Sequence, residues 1–207
     1  MKTFDLIVIG SGSGLDVAVE AANNGLKTAI IEKGPLGGTC LNRGCIPSKI
    51  ILHTAEVADT IRRSSVFGIR GIISGIDFQK VTGRASTVVD HDSHRIEQAL
   101  KEDKNPLLIQ GTARFVGKKT LTVNGQTLLG KKILIAAGAR PSIPPIEGLK
   151  NVPFLTSTEA LRLMVQPKSM IIIGGGYIGA ELGYFYAAMG TKITMIQRSE
   201  LLLGRED

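Results

Sequence analysis

The sequence predicts an α/β fold in which short parallel strands alternate with helices. Three observations carry that prediction. Two apolar runs, 4–9 and 169–173, are continuous rather than alternating, as in strands covered on both faces. Each runs into a glycine cluster, Gly10-Ser11-Gly12-Ser13-Gly14 in one case and Gly174-Gly175-Gly176 in the other. Each cluster is followed by a helix-like stretch, a glycine (Gly25 or Gly190) and a second buried strand, so one strand–turn–helix–strand unit occurs twice. With 207 residues, 43% apolar and 21% charged, the chain can bury a sizeable core and is neither a disordered tail nor a disulfide-stapled mini-protein.

Taken in order, the first unit comprises a strand over 4–9, a helix over 15–23 and a strand over 27–32 that ends in the acid Glu32. Its glycines suit a nucleotide. They let backbone approach a pyrophosphate, and the helix that follows directs unpaired N–H groups and its dipole at that charge. Glu32 stands about twenty residues beyond Gly10, the spacing at which an acid takes ribose hydroxyls. The third fingerprint position holds Leu15, with Gly14 one residue early, which predicts a slightly wider helix–strand approach. Helices with polar outer faces follow over 47–63 and 77–102. Residues 107–136 then alternate short β-prone runs with turns such as Asn124-Gly125, predicting a small antiparallel meander. Pro141, Pro144, Pro145 and Gly148 punctuate a linker, so the chain divides into 1–145 and 146–207. The second unit has a strand over 169–173, a complete fingerprint at Gly174, Gly176 and Gly179, a helix through Met189 and a strand over 191–196.

Composition narrows the partners. The formal charge is +7, yet the basic residues are scattered and only 4% of residues are aromatic, so anionic cofactors explain the charge better than nucleic acid. The stretch 170–190 has the length of a membrane span, a single charge at Glu181, and Gly175, Gly179 and Gly183 spaced as in a dimerising helix. Three successive glycines would break such a helix, and Ile171-Ile172-Ile173 is β-branched. A buried strand turning into a buried helix explains both facts, and no membrane partner is expected. The apolar run at 4–9 is too short for a secretory signal and ends in glycines. With two cysteines in all, the expected compartment is the cytoplasm.

Those cysteines, Cys40 and Cys45, lie within Gly37-Gly38-Thr39-Cys40-Leu41-Asn42-Arg43-Gly44-Cys45-Ile46-Pro47-Ser48-Lys49. Three readings are open. A metal centre would need two further ligands, and none stands at a suitable spacing; His91 and His94 lack companions and read as polar helix residues. A structural disulfide fits poorly in an otherwise reduced-looking chain. A redox disulfide that exchanges with a dithiol fits best. Gly44 permits a tight bend between the sulfurs, and Pro47 suits a first helical turn, placing Cys45 at a helix N-terminus where a thiolate is stabilised. Lys49 follows one turn later on the same face.

This segment resembles the redox-active loop of the flavoprotein disulfide reductases, the class I pyridine nucleotide–disulfide oxidoreductases. The resemblance runs from Phe4-Asp5-Leu6-Ile7-Val8-Ile9-Gly10 through Ala136-Ala137-Gly138-Ala139-Arg140-Pro141 to the second fingerprint. Within the family, Cys40 to Lys49 and Pro145-Ile146-Glu147-Gly148-Leu149 look most like dihydrolipoamide dehydrogenases; mercuric, mycothione and glutathione reductases share the architecture. The resemblance implies a Rossmann-like FAD-binding domain with an antiparallel meander over 1–145, then the start of a Rossmann-like NAD(P)-binding domain over 146–207. It implies FAD at Gly10, Gly12 and Gly14, with its ribose at Glu32 and Lys33 and the rest of the nucleotide along Gly38, Thr39, Ala113 and Gly138. It implies NAD or NADP at Gly174, Gly176 and Gly179, with Tyr177 over the nicotinamide pocket. Cys45 would face the flavin and Cys40 would exchange with substrate, while Lys49 would sit near the flavin, paired with Glu181. A Glu in so apolar a helix needs a partner in any case.

The implied activity passes electrons between a dithiol such as dihydrolipoamide, a redox-active Cys40–Cys45 disulfide, FAD and NAD(P). The alternatives are an NADPH-dependent reductase of mercuric ion or of a low-molecular-weight disulfide, and a non-enzymatic nucleotide-binding redox module. The implied substrate is a small dithiol or disulfide, including a lipoyl group on a partner protein, and the full-length assembly is a homodimer. Three features depart from the family: Leu15 in the first fingerprint, Arg43 where an apolar residue is usual, and an end at Asp207, well short of the family's length. The last predicts that this chain alone is inactive. Aligned on Gly25 and Gly190, the second unit has Gln197 where the first has Glu32, followed by Arg198. Losing the acid and gaining a cation favours a 2′-phosphate, which predicts use of NADP(H) at least as good as NAD(H), against the usual dihydrolipoamide dehydrogenase preference.

Overall fold

The computed structural model describes residues 1–204; the last three residues of the expected 146–207 segment lie outside the described residues. The elements run β1 (Lys2–Ile9), α1 (Ser13–Asn23), β2 (Thr28–Glu32), α2 (Gly38–Arg43), α3 (Cys45–Arg62), α4 (Phe78–Asp103), β3 (Leu107–Gln110), β4 (Arg114–Gly117), β5 (Thr120–Val123) and β6 (Gln126–Ile135). They continue with α5 (Ser157–Ala160), β7 (Ser169–Ile173), α6 (Tyr177–Met189) and β8 (Lys192–Ile196). Two compact units divide the described chain, one from 1–42 and 89–140, the other from 43–88 and 141–204. The sequence reading instead places one contiguous division at 145.

The first unit is built on a six-stranded mixed sheet in the order β3-β2-β1-β6-β5-β4. Strands β3, β2, β1 and β6 are parallel, and β5 and β4 add on antiparallel. The meander is therefore shorter than expected, β4-β5-β6 alone. β3 leaves it because its residues are apolar on both sides: Leu107 and Ile109 join one core face and Leu108 the other. Such a strand is better covered beside β2, where Ala29 pairs Leu107 and Glu32 pairs Gln110. The Asn124-Gly125 hairpin forms as expected. Val123 pairs Gln126, and both loop residues have positive φ, 48° and 77°, the twist that suits a two-residue turn. One sheet face buries Phe4, Ile7, Ala29, Ile31, Leu121 and Leu128. The other buries Val8, Ile30, Leu36 and Leu100 against Ala18 of α1.

The second unit has its own core, in which Ile51, Leu52 and Ala55 of α3 pack with Phe78, Phe185, Tyr186 and Met189. Phe185 and Tyr186 are fully buried with ring centroids 5.1 Å apart, edge to face. This shared core is why 43–88 groups with 141–204. Parallel β7 and β8 pair from Ser169–Lys192 to Ile173–Ile196. Gly183 of α6 lies directly on Ile172 and Met195 of this pair. Alternate residues on the opposite face, Ile171, Ile173 and Ile196, are at least half exposed. Among the described residues, no helix is long and apolar enough to cross a membrane.

Candidate functional site

The first glycine turn is closed by backbone. The Gly10 N–H donates to Ile31 O at 2.8 Å, φ is +104°, and a Cβ there would run into the Ala136 carbonyl. Only glycine fits. Gly12 precedes α1, which has no side-chain cap, so its first N–H groups are presented by a bare helix start. Gly38 lies against the Gly12 backbone, and Gly138, with φ +69°, neighbours the Thr39 hydroxyl. Gly10, Gly12, Gly38, Thr39 and Gly138 thus come together around the start of α1, with Gly14 inside it. The wider helix–strand approach expected from Leu15 is not found. A Cβ on Gly14 would come within 2.7 Å of Val8 Cγ1 and 2.9 Å of Ala136 Cβ, so the close contact has moved one residue earlier. Ala113 packs against the sheet core.

Glu32 terminates β2 beneath this turn. One carboxylate oxygen accepts from the Ser11 N–H and hydroxyl, each at 2.9 Å. The other accepts from the N–H groups of Lys33 at 2.8 Å and Gly34 at 2.9 Å. Burial works against the charge, but the hydrogen bonds from Gly34, Ser11 and Lys33 outweigh it and hold the carboxyl below its ordinary value. Lys33 lines an adjoining cleft of about 460 Å³ with Pro35, Asp90, Ser93, His94 and Glu97.

The second turn repeats the first. Gly174 has φ +110° and its N–H donates to Ile196 O at 2.9 Å, as Gly10 does to Ile31. This register sets Gln197 in the position of Glu32. Its Oε1 accepts from the Gly175 N–H at 3.0 Å. Gly176 precedes α6, which again has no side-chain cap, and Gly179 sits so close to the Gly174 carbonyl that a Cβ would collide with it. Gly176, Tyr177, Gln197 and Arg198 line a cleft of about 830 Å³, and Tyr177 is 68% exposed at its edge.

Cys40 lies within α2 and Cys45 is the first residue of α3; both are exposed. The helix break at Gly44, with φ −141° and ψ −119°, is what separates them, and the short α2 is an element the sequence pattern did not announce. The Ser48 N–H donates to Gly44 O at 3.1 Å and its hydroxyl to Cys45 O at 3.2 Å, closing the first turn of α3 under Cys45. One turn on, Lys49 Nζ and Glu181 Oε1 are paired. Their side chains are 63% and 37% exposed, so the pair adds at most about 1 kcal/mol and matters for placement rather than stability.

Two contributors were not singled out from the sequence. Buried Ser11 anchors Glu32 and also receives the Gly37 N–H at 3.3 Å. Asn42 donates its amide to Leu36 O at 2.8 Å and Gly38 O at 2.9 Å, clamping the loop that leads into Cys40. A serine inside the glycine cluster and an asparagine between the cysteines were the available signals, since both types bind nearby backbone. Among the described residues, no group of three or more His, Cys, Asp or Glu is placed to hold a metal ion.

Comparison with known proteins bears on this geometry. Residues 4–207 match a family model described as pyridine nucleotide-disulphide oxidoreductase. The chain is 39% identical over 205 residues to a mercuric reductase of Staphylococcus aureus, covering 99% of this chain and 38% of that protein. It is 38% identical over 218 residues to a dihydrolipoyl dehydrogenase of Bacillus subtilis (strain 168), covering 99% and 46%. Among solved structures, it superposes on the HOCl-induced flavoprotein disulfide reductase RclA of Escherichia coli with a TM-score of 0.85 and 34% identity, covering 98% of this chain and 44% of that one. The chain thus spans less than half the length of each of these relatives.

Proposed function

From the premise that this chain belongs to the pyridine nucleotide-disulphide oxidoreductase family, we propose that it is the nucleotide- and disulfide-bearing part of an FAD-dependent dithiol–disulfide oxidoreductase. The observation that carries the proposal is the pair of exposed cysteines flanking Gly44, with Cys45 opening an 18-residue helix. FAD and NAD(P)H are the cofactors of the family. The first unit is the proposed FAD surface: the uncapped start of α1 and the backbone of Gly10, Gly12, Gly14 and Gly38 would take the pyrophosphate, and Glu32, held as a carboxylate, would take a ribose. Lys33, Thr39, Ala113 and Gly138 complete that proposed surface. Bound there, FAD supplies an acceptor and donor of two electrons. Gly174, Gly176, Gly179 and Tyr177 form the proposed surface for the nicotinamide dinucleotide.

The thiol chemistry belongs to the chain itself. Cys40, as thiolate, attacks one sulfur of a substrate disulfide, forming a mixed disulfide and releasing the first substrate thiol. Cys45 then attacks the Cys40 sulfur, releasing the second thiol and closing the Cys40–Cys45 disulfide. Two protein thiols are oxidised and one substrate disulfide is reduced; with a dithiol such as dihydrolipoamide the same steps run in reverse. Cys45 stands at the N-terminal end of α3, with the Ser48 hydroxyl on its carbonyl. Lys49, oriented by Glu181, fixes a positive charge one turn below it.

A lipoyl group on a partner protein is the substrate on the dihydrolipoyl dehydrogenase reading. The likeness to mercuric reductases favours a second reading, NADPH-dependent reduction of mercuric ion or a small disulfide. A cytoplasmic homodimer is the proposed assembly for either. The test is alkylation and mass analysis of the complete protein. As purified and oxidised, it should leave Cys40 and Cys45 unalkylated after denaturation; after NAD(P)H, both should carry the label. Label on both before NAD(P)H, or on neither after it, would defeat the proposal.

A further inference from the structure

The cations of this chain are spread along its length, but the acids are not. Between Asp103 and Glu147 stand seven lysines and arginines and no acid, so this one stretch carries the whole formal excess of +7 and the rest of the chain is balanced. Most of the stretch forms β3 and the β4–β5–β6 meander of the first unit. The fold draws its cations together. The Gly130 N–H donates to Lys119 O at 3.0 Å, which sets the Lys118-Lys119 turn beside Lys131 and Lys132. That contact lies at the start of β1, where Lys2 pairs Leu128, and so at the opposite end of the strand from the Gly10 turn. Arg114, Lys118, Lys119, Lys131 and Lys132 are all exposed. Among the described residues, Lys131 alone of these five has an ion pair, with Asp5 at 2.7 Å.

β4 forms the edge of this surface. It ends the strand order, pairs with β5 alone among the described strands, and all four of its residues are exposed. Its outer side therefore presents backbone donors and acceptors that a further strand can take. Phe115 and Val116 are 54% and 59% exposed, with Arg114 before them and Lys118 and Lys119 after them, an apolar centre inside a charged rim. Lysines on an edge, and a register shift like that between Phe115 and Gly117, guard it against a second copy of itself. The same lysines attract a strand of opposite charge. We propose that the β4 edge is a docking site for an acidic, extended segment of a partner protein. Carboxylates of that segment meet Arg114, Lys118 and Lys119, and its apolar side chains cover Phe115 and Val116. Nucleic acid is served less well, because Phe115 is the single aromatic residue between Asp103 and Glu147 on which a base could stack.

The test titrates the complete protein into a fluorescently labelled peptide of alternating Glu and Val, read by anisotropy at low and at high salt. The peptide should bind, and its affinity should fall as salt screens the rim. A peptide with Ser in place of every Glu should bind about tenfold more weakly or worse. Arg114→Ser with Lys118→Ser should weaken the acidic peptide by about five- to tenfold. Lys80→Ser with Lys168→Ser, which takes the same charge from the second unit, should change it by less than about twofold. Val116→Ser keeps every charge and should weaken it as well, because the apolar centre is lost. Absence of binding would leave the cations as guards of the edge and overturn the proposal. Equal losses in the two double variants would overturn it too, by reducing the effect to net charge. Tighter binding of a single-stranded oligothymidylate of equal charge would overturn it in favour of nucleic acid.

Discussion

Glu32 has four donors on its carboxylate and little freedom to exchange them. Replacing it with Gln would turn an amide NH₂ toward either the Ser11 or the Lys33 and Gly34 donors, at a cost of roughly 1–3 kcal/mol. Because its folded pKa is lowered below 4.5, the stability it contributes is present above that pH and is lost as pH falls through the folded value. Urea midpoints taken at pH 6 and on the acid side of 4.5 should fall less steeply in Glu32→Gln than in the unaltered chain. Tyr186 works at the opposite end of the scale. Burial pushes its hydroxyl up to about 12 while it donates to Ala160 O at 2.6 Å. Its contribution is complete below pH 10 and disappears as pH rises toward 12, so Tyr186→Phe should be less stable at pH 8 by about 1 kcal/mol and should lose the extra alkaline sensitivity.

At the level of elements, the contact between α1 and β1 depends on Gly14. An alanine there would gain up to about 1 kcal/mol of helix propensity. Its methyl, however, would stand 2.7 Å from Val8 and 2.9 Å from Ala136, and overpacking of that kind costs roughly 1–3 kcal/mol. Gly14→Ala should lower the thermal midpoint, and Ala136→Gly in the same chain should restore part of the loss, giving a coupled double-mutant cycle. Elements announced by punctuation were legible from sequence: β1, α1, β2 and the β7–α6–β8 unit are bracketed by glycines, and the β5–β6 hairpin by Asn124-Gly125. What could not be read is decided by long-range partners. β3 looks like a meander strand until β2 is available to pair with it. The Gly14 contact hid behind an imperfect fingerprint. Glu32 and Gln197 were found by spacing, but the backbone N–H groups each side chain receives are set by the fold of its glycine turn, which no local pattern encodes.

On the scale of the whole chain, the second unit leaves apolar surface in water. Phe67, Ile69 and Ile72 are 61–90% exposed in one segment, and Ile171, Ile173 and Ile196 share the bare face of β7–β8. Contiguous patches of this kind drive association. The 207-residue chain on its own should sediment as concentration-dependent oligomers, and Phe67→Ser with Ile72→Ser should shift it toward monomer. An unaltered chain that stays monomeric at high concentration would show these patches to be harmless.

The second unit is also woven from two stretches, 43–88 and 141–204, that meet in one core around Phe78, Phe185 and Tyr186. A protease that nicks the exposed, proline-rich stretch near Pro144 and Pro145 therefore cuts the chain without cutting the unit. The two fragments should co-elute from a sizing column and part only in detergent or denaturant. Expressed as separate halves, split at that same point, they should find one another again, which makes this linker a natural place to install a reporter of reassembly.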